Sequence, residues 1–279
     1  MRTLIVGCGY VGLRVAARLI EAGDDVLAVT RSTTPRPEWV RLGIAPVVAD
    51  VLRPETLAAL PGVDRVYYAV GYDRAGSSSK RSVYVDGLAN VLSALQGEVR
   101  RFVYASSTSV YGQDDGGWVD EASLTEPETE SGRTCLDAEA VATAWSEERS
   151  VPLTVLRYSG LYGPVRVVGR SALENARPID GDPDAFLNLI HADDAAAAAV
   201  SALRGDGDGL YLASDDRPLP RREYYTLAAL LLRTTPPVFS NTGAGGSGKR
   251  VSNRRLKQEI GLRLSYPDVG IGLPSALSG

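Results

Sequence analysis

A glycine-rich turn near the N-terminus is the first part of the chain whose spacing suggests a chemistry. Gly7, Gly9 and Gly12 directly follow the apolar run 4–6 and open an amphipathic helical pattern. In such a turn the first glycine allows a tight bend, the second lets the backbone approach a pyrophosphate, and the third lets helix and strand pack closely. The positive end of the helix also attracts phosphate. The spacing predicts a dinucleotide site, with a ligand-free glycine turn as the alternative. The other predicted contacts in this turn are Tyr10 and Val11.

The residues after the second predicted strand bear on the choice of dinucleotide. A site for NAD commonly has a carboxylate there, which holds the ribose hydroxyls. This chain has Thr30, Arg31 and Ser32 instead. No carboxylate in this tripeptide repels a 2′-phosphate, and a guanidinium can pair with one. We therefore expect NADP to be preferred over NAD, which stays possible. The alternative is that Arg31 is a solvated loop charge.

Further cofactor contacts are expected where other predicted strands end, because ligands of such sheets lie outside the carboxyl ends of the strands. Asp50 and Val51 follow the third strand, where an adenine edge is expected. A role for Asp50 in a turn is an equal alternative. The remaining predicted cofactor contacts are Ala69, Val70, Gly71, Tyr158 and Gly160.

The elements that must position these residues alternate between strands and helices. Short apolar runs predict strands, and patterns with a helical period predict helices. The alternation predicts an α/β fold, a Rossmann doubly wound parallel sheet. Predicted strands cover 4–6, 26–29, 46–49, 66–70, 101–105 and 153–158. Predicted helices cover 57–60, 83–95 and 136–148, besides a first helix that begins near Val11 and ends at Gly23.

The rhythm changes after residue 164. The segment 165–185 is predicted to be a loop. Later predicted helices run from an N-cap at Asp193 or Asp194 to Leu203, over 222–232, and from a cap at Ser252 or Asn253 to Gly261. The predicted organisation is a Rossmann domain of 1–164, to which 188–213 returns, and a smaller C-terminal substrate lobe of 165–187 and 214–279.

Composition narrows the class of protein. The 279 residues are 44% hydrophobic and 23% charged, with a formal net charge of −4. Because the cations are scattered, we expect no nucleic-acid or membrane partner. Cys8 and Cys135 form neither a zinc pattern nor a disulfide framework, so no metal is expected. No apolar run approaches membrane-spanning length. These features favour a soluble, cytoplasmic protein.

Several segments together resemble the extended short-chain dehydrogenase/reductases, the NAD(P)-dependent sugar-nucleotide epimerases and dehydratases. The resemblance implies the Rossmann fold, a nicotinamide cofactor, a small-molecule substrate and a possible homodimer that packs helices 85–95 and 136–148. The segments that carry it are Gly7–Gly12, Asp50-Val51, Tyr104–Gly112, Leu156–Pro164, Asn188–Asp194, Gly209–Asp216, Glu223–Tyr225 and Ser252–Leu256.

The chain departs from this family at the catalytic positions. In the family, a Ser or Thr, a Tyr and a Lys four residues after the Tyr move the proton that accompanies hydride transfer. Ser107 matches the serine. Alignment places Ser131 where the tyrosine belongs and Cys135 where the lysine belongs, and no Tyr or Lys lies between Val119 and Arg157. The acid–base pair is missing, which resembles an atypical branch of the family.

Other residues of the chain are candidate substitutes for this pair. Tyr111, Tyr158 and Tyr162 are candidate acids, although tyrosines in Tyr-Gly turns usually pack. The only histidine, His191, is more often structural at such a place before a helix. Asp120-Glu121 lies in a loop that is predicted over 112–130, where a solvated charge pair is the expected role.

One nucleotide-binding pattern is a decoy. The segment 243–249 matches G-x-x-x-x-G-K, but Arg250 follows where a hydroxyl must hold Mg²⁺. Pro236-Pro237 argues against a central strand that leads into the loop. We therefore expect a mobile linker and no ATP site.

Three functions are compatible with these observations. The first is an NADP-dependent oxidoreductase or epimerase that acts on a small hydroxyl or carbonyl substrate, for which a sugar nucleotide is one candidate. The second is a non-catalytic NADP-binding sensor or partner-binding protein. The third is an enzyme with changed chemistry in the same cleft. The glycine turn supports the first two, and the missing Tyr and Lys favour the second or third.

Overall fold

The computed structural model describes residues 1–34, 36–73, 76–205, 207–241 and 246–277. The chain divides into two compact units. The first contains Met1–Val110, Pro127–Arg157 and Ala196–Tyr211, and the second contains Tyr111–Glu126, Tyr158–Ala195 and Leu212–Gly279. This division differs from the one predicted at residue 164. Gly160 pairs with Leu189 and Tyr162 with His191 in a parallel ladder, so both segments belong to the second unit.

A seven-stranded sheet with the Rossmann topology organises the fold. The strands of the described residues are β1 Arg2–Val6, β2 Asp25–Thr30, β3 Ala45–Val48, β4 Arg65–Tyr68, β5 Arg101–Ser107, β6 Trp118–Val119, β7 Leu153–Tyr158, β8 Gly160–Tyr162, β9 Ile179–Asp180, β10 Phe186–Leu187, β11 Leu189–His191, β12 Gly209–Ala213, β13 Leu219–Pro220, β14 Phe239–Ser240 and β15 Arg250–Val251. The sheet order is β12-β7-β5-β4-β1-β2-β3. β1 pairs in parallel with β2 and β4. Because β1 lies between two strands and is covered on both faces, Leu4, Ile5 and Val6 are fully buried.

Helices connect the strands. Those of the described residues are α1 Tyr10–Glu21, α2 Pro37–Leu42, α3 Gly87–Ala94, α4 Glu130–Arg149, α5 Arg170–Glu174, α6 Ala192–Arg204, α7 Arg221–Leu232, α8 Arg254–Glu259 and α9 Val269–Leu277, with 3-10 helices at Pro54–Ala59 and Thr108–Val110 and a π-helix at Ser82–Asp86. None of the described helices combines the length and the apolar character that a membrane span requires.

Backbone hydrogen bonds explain where two of these helices begin and end. α1 ends at Glu21, and Gly23, which follows its C-cap, has a φ of +84° that suits glycine. The Gly23 N–H donates to the Ile20 carbonyl and the Asp24 N–H to the Leu19 carbonyl, as in a Schellman motif. α4 begins at Glu130 because the Thr129 hydroxyl accepts the Gly132 N–H at 3.1 Å. The helix therefore starts six residues before the predicted 136.

Three sequence-based expectations about the later helices were wrong. α6 already begins at Ala192, and the Asp194 carboxylate accepts the backbone N–H groups of Ser265 and Tyr266 instead of capping the helix. The segment 165–185, predicted to be a loop, contains α5. The helix that ends before Gly261 is followed by α9, which a sequence with Gly270, Gly272 and Pro274 did not suggest.

Each unit has its own apolar core. In the first unit, α3 and α4 pack on the sheet through side chains such as Leu88, Val91 and Ala138, which are fully buried. In the second unit, α7 and α9 pack together through Tyr224, Ala228 and Leu273. The sheet and its helices in the first unit form the rigid frame that holds the candidate site.

Candidate functional site

The glycine turn has the geometry of a phosphate cradle. Gly7 has a φ of +98°, and a Cβ on it would overlap the carbonyl oxygen of Ala69. A Cβ on Gly12 would overlap the Gly7 carbonyl oxygen, so the protein itself requires glycine at both positions. A Cβ on Gly9 would meet no atom of the described residues within 4 Å. Glycine at that position leaves open space, which fits the close approach of a pyrophosphate.

The start of α1 is free of the groups that would repel or replace a phosphate. Gly9 is its N-cap, provides no side chain, and no acidic side chain lies in the described first turn. Val11 is buried in the core, so a ligand can contact only its backbone. The Arg14 guanidinium lies 4.4 Å above the Tyr10 ring. Burial raises the pKa of the Cys8 thiol to about 12, so this thiol stays neutral beside the turn.

Basic side chains follow β2. Arg31 is exposed. The Ser32 hydroxyl donates to the Thr34 carbonyl at 3.0 Å, so it shapes the loop. Arg36 was not predicted as a contact, yet its charge opposes the effect of burial on the pKa of Cys8. The guanidinium of Arg36 is therefore a second one close to the glycine turn. Its place in the loop after β2 could have marked it as a candidate contact in the sequence.

Four of the other predicted strand-end residues, Asp50, Val51, Val70 and Gly71, lie in the same unit as the glycine turn. One Asp50 carboxylate oxygen accepts the Leu52 N–H at 2.9 Å, which forms an Asx turn and supports the turn role. The Val51 carbonyl accepts the Asn90 side-chain amide at 2.9 Å. Val70 is half-buried, and Gly71 is exposed with no described atom within 4 Å of an added Cβ. Gly71 thus borders open space, as Gly9 does.

A lysine from outside α4 reaches the place of the missing Tyr and Lys. Lys80 precedes the π-helix Ser82–Asp86, and its Nζ donates to the Ser131 Oγ at 2.6 Å. Burial raises the pKa of the Cys135 thiol, which the Ser109 hydroxyl and the Lys80 charge oppose. Positions four residues apart lie on one helix face. The ammonium of Lys80 therefore lies over the face of α4 that Ser131 and Cys135 share.

Two neutral tyrosine rings lie beside the Lys80 ammonium. The rings of Tyr72 and Tyr84 each have their centroid 5.8 Å from the Lys80 Nζ, and the Tyr84 hydroxyl accepts the Tyr72 N–H at 3.3 Å. Burial raises the pKa of Tyr84. No carboxylate forms an ion pair with Lys80 in the part of the chain that the structure describes. Sequence reasoning missed Lys80, although the chain has only three lysines among its 30 basic residues.

A buried network of hydrogen bonds and charges connects α4 to the central sheet. The Glu139 carboxylate accepts two hydrogen bonds from the Arg157 guanidinium, at 3.0 Å and 2.7 Å, and a third from the Ser106 hydroxyl. All three residues are less than 9% exposed. Ser107, the predicted catalytic serine, follows directly in β5, and its Oγ accepts the Ser109 N–H at 3.1 Å. The network fixes α4 to the ends of β5 and β7.

The three tyrosines that were candidate acids lie in the second unit, where their hydroxyls face backbone carbonyls. The hydroxyl of Tyr111 donates to the Asp120 carbonyl at 2.9 Å, and that of Tyr158 to the Ala195 carbonyl at 3.1 Å. The hydroxyl of Tyr162 lies 3.5 Å from the Asp268 carbonyl oxygen, and burial raises the pKa of Tyr162. A Cβ on Gly160 would press on the Leu189 side chain. These contacts favour the packing role over the acid role.

His191 is also a packed residue. It is fully buried, with the Tyr266 ring stacked at 3.8 Å and the Tyr162 ring edge-on at 5.2 Å. Its Nδ1 accepts the Asp193 N–H at 3.2 Å, so the imidazole holds the first turn of α6. The described ranges contain no group of three His, Cys, Asp or Glu side chains that could hold a metal ion.

The described end of the G-x-x-x-x-G-K segment is bound by a carboxylate of the same chain. Residues 242–245 lie outside the described residues. In the part that is described, the N–H groups of Gly246 and Gly248 donate to the two oxygens of the Asp114 carboxylate, at 2.7 Å and 2.8 Å. The Lys249 ammonium donates to the Tyr111 carbonyl. An internal carboxylate already binds the N–H groups that a phosphate would need.

The acidic pair 120–121 is likewise engaged within the second unit. An Asp120 carboxylate oxygen accepts the Ala122 N–H and the Ser123 hydroxyl, and Glu121 accepts the Leu212 N–H at 2.9 Å. The bonds of Asp120 stabilise a turn, and the bond of Glu121 contacts a strand.

Comparison with known proteins identifies the family. The model of the NAD dependent epimerase/dehydratase family matches residues 3–210, which is most of the chain. The chain belongs to this family. A solved structure from Methylobacillus flagellatus, described as an NAD-dependent epimerase/dehydratase, is 33% identical with a TM-score of 0.81 and covers 99% of this chain and 97% of its own. Protein YeeZ of Escherichia coli K12 is 29% identical over 276 residues, 96% of this chain and 97% of YeeZ.

More distant relatives of this chain include a named reductase and a protein solved with a sugar nucleotide. The 3-diazoavenalumate denitrifying reductase of a Streptomyces species is 26% identical and covers 98% of this chain and 99% of its own length. MoeE5, solved with UDP-glucose and NAD, is 21% identical, covers 100% and 98%, and shares the fold with a TM-score of 0.82. The family and the Rossmann fold predicted from the sequence are confirmed.

Proposed function

We propose that this protein is an NADP(H)-dependent oxidoreductase that transfers hydride between the nicotinamide and a hydroxyl or carbonyl carbon of a small substrate. The observation that carries the proposal is the glycine turn, tightly packed at Gly7 and Gly12 and open at Gly9. The space beside Gly9, at the start of α1, is where a pyrophosphate would approach the backbone. Family membership supplies the nicotinamide cofactor as a class.

The preference for NADP rests on charge. Arg31 is exposed at the end of β2, and Arg36 is close enough to the glycine turn to affect the pKa of the Cys8 thiol, which burial raises. Glu38 acts on the pKa of the same thiol in the opposite sense to Arg36. Two guanidiniums suit the doubly charged 2′-phosphate of NADP better than the neutral ribose hydroxyls of NAD.

Sugar nucleotides are the substrate class that we favour. UDP-glucose is bound by MoeE5, and the Streptomyces relative is named a reductase. A bound cofactor supplies or accepts the hydride. The chain's own contribution is to place hydroxyl donors beside the reacting oxygen, with Ser107 at the end of β5 and Ser131 on α4 as the candidates.

Calorimetry on the full chain tests the cofactor site. NADPH is expected to bind the wild type more tightly than NADH, and Gly9→Val is expected to abolish binding because its side chain fills the open space. Gly62→Val is the matched control, since Gly62 is exposed and a Cβ there meets only the Gln96 carbonyl oxygen, at 4.0 Å. Unchanged affinity in a folded Gly9→Val variant would reduce the motif to a turn.

A non-catalytic NADP sensor is the second candidate. Serine in the place of the family's tyrosine favours it, because an unassisted hydroxyl is a far weaker acid than an activated phenol. The two candidates are separated by turnover of UDP-glucose or of a simple quinone with NADP(H), which only the oxidoreductase produces.

A further inference from the structure

We propose that Lys80 replaces the missing Tyr-x-x-x-Lys pair by supplying a proton through the Ser131 hydroxyl to the reacting substrate oxygen. The inference rests on the proposed function, and it assigns the acid–base role to a residue 51 positions away from the expected motif. The geometry that points to it is the 2.6 Å hydrogen bond from the Lys80 Nζ to the Ser131 Oγ.

The direction of that hydrogen bond leaves the serine able to donate. An ammonium has only donors, so Ser131 accepts with a lone pair and keeps its own hydrogen. The bond from Lys80 is the one hydrogen bond of the Ser131 hydroxyl among the described residues. A substrate oxygen beside Ser131 would therefore receive a hydroxyl hydrogen from a serine that is itself backed by a positive charge.

The electrostatics favour an oxygen that gains negative charge. The neighbours of the ammonium are the neutral rings of Tyr72 and Tyr84 and the thiol of Cys135, whose pKa burial raises. No carboxylate forms an ion pair with Lys80 in the described ranges. The Glu139 carboxylate, which acts on the pKa of Cys135 in the opposite sense to Lys80, is itself paired with Arg157. Fixed positive charge in a partly buried site stabilises a developing alkoxide.

The π-helix that follows Lys80 gives this arrangement a structural origin. π-Helical turns are rare and often occur at functional sites. Arg81, the next residue, forms an ion pair with Asp137 of α4. Two successive basic residues thus hold the segment before α3 against α4.

The proton and electron balance of the step is complete. In the reduction of a carbonyl, the reduced cofactor provides the hydride that forms the new C–H bond as the C=O π bond breaks. The carbonyl oxygen takes the hydrogen of the Ser131 hydroxyl, and Ser131 takes one proton from the Lys80 ammonium. The neutral amine of Lys80 then regains a proton from water. The reverse sequence oxidises an alcohol.

Site-resolved NMR tests the position of Lys80 without any substrate. The three lysines give three signals when [ε-¹³C]lysine is incorporated, and Lys80→Met identifies one of them. Saturation with NADP⁺, verified by calorimetry, is expected to move the Lys80 signal and to leave that of Lys257, which pairs with Asp216 in the second unit, unchanged. An unmoved Lys80 signal in the loaded protein would overturn the proposal.

Kinetics test the role of Lys80 in the chemistry. With NADPH and phenanthrenequinone as the probe, Lys80→Met and Ser131→Ala are each expected to lower the single-turnover rate about 100-fold or more, while NADPH affinity stays within about threefold. Lys80→Arg is expected to recover only part of the rate, because a guanidinium keeps the positive charge but does not release a proton. Lys257→Met is the matched control, and thermal melting verifies the folding of each variant.

The possible outcomes separate the two proposals. Failure of the wild type to bind NADP(H) counts against the proposed function, whereas binding and turnover with undiminished rates in Lys80→Met count against Lys80 alone. A wild type that binds NADPH without any turnover of the probe counts against the relay and favours the sensor. Tyr84→Phe is a further control: a large loss there with none in Ser131→Ala would overturn the relay in favour of the phenol.

Discussion

The buried ion pair beneath the candidate site allows a prediction with a definite size. Arg157→Met removes the guanidinium and leaves the Glu139 carboxylate buried with the Ser106 hydroxyl as its remaining partner in the network. Arg157 is 6% exposed and Glu139 is 8% exposed, so water does not replace the lost bonds easily. Breaking a buried pair on one side costs about 3–5 kcal/mol. That is a large share of the roughly 5–15 kcal/mol that stabilises a whole domain.

The double variant Glu139→Met, Arg157→Met separates the worth of the pair from the penalty of leaving one charge alone. It removes both charges and fills a similar volume, so it is expected to cost less than either single variant. The remaining cost is about 1–3 kcal/mol for the unsatisfied Ser106 hydroxyl. The exposed pair Arg2–Asp25 provides the control, because Arg2→Met should cost less than about 1 kcal/mol.

Urea denaturation followed by circular dichroism gives the free energy of unfolding of each variant. The expected order of stability is wild type, double variant and then either single variant. A loss below about 1 kcal/mol in Arg157→Met would refute the argument that the pair is desolvated, and a double variant as costly as the two single variants added together would refute the argument that they are coupled.

Three further outcomes follow from the structure. Arg31→Ala should weaken NADPH binding about tenfold or more in calorimetry while NADH binding hardly changes, and equal losses for both would contradict a 2′-phosphate contact. Burial raises the pKa of Asp215 to about 8 in the folded state, so the unfolded chain releases this proton first, and the stability that the group contributes is complete below about pH 4 and lost as pH rises to about 8. Thermal melting should therefore show Asp215→Asn gaining on the wild type across that range, by roughly 3–6 kcal/mol, and a constant difference would contradict the buried carboxyl. Thr129→Ala should cost about 1 kcal/mol through the lost cap of α4, and no change in urea stability would contradict it.

The fold could be predicted from the sequence because its signals are local. Residue type alone indicates the backbone conformation of the apolar run 4–6, the glycine turn and Gly23. The structure has β1, the start of α1 and its Schellman end at these places. Boundaries failed where tertiary contacts decide. His191 and not an aspartate holds the first turn of α6, since the Asp194 carboxylate is taken by the backbone of residues 265–266.

The candidate site shows the same contrast between local and long-range signals. The positions of Ser131 and Cys135 could be aligned because the motif around them is continuous in sequence. Lys80 could not be found in this way, because its contact with Ser131 joins two segments that are 51 residues apart. A search for the few lysines of an arginine-rich chain would have selected it as one of three candidates, without revealing which one reaches α4.

The most direct test of the account is a crystal structure of the full chain grown with NADPH. We expect a dinucleotide whose pyrophosphate lies against the Gly9 backbone, whose 2′-phosphate contacts Arg31 or Arg36, and whose nicotinamide lies within reach of the Ser131 hydroxyl. A complex in which NADPH leaves the space beside Gly9 empty would contradict the central claim.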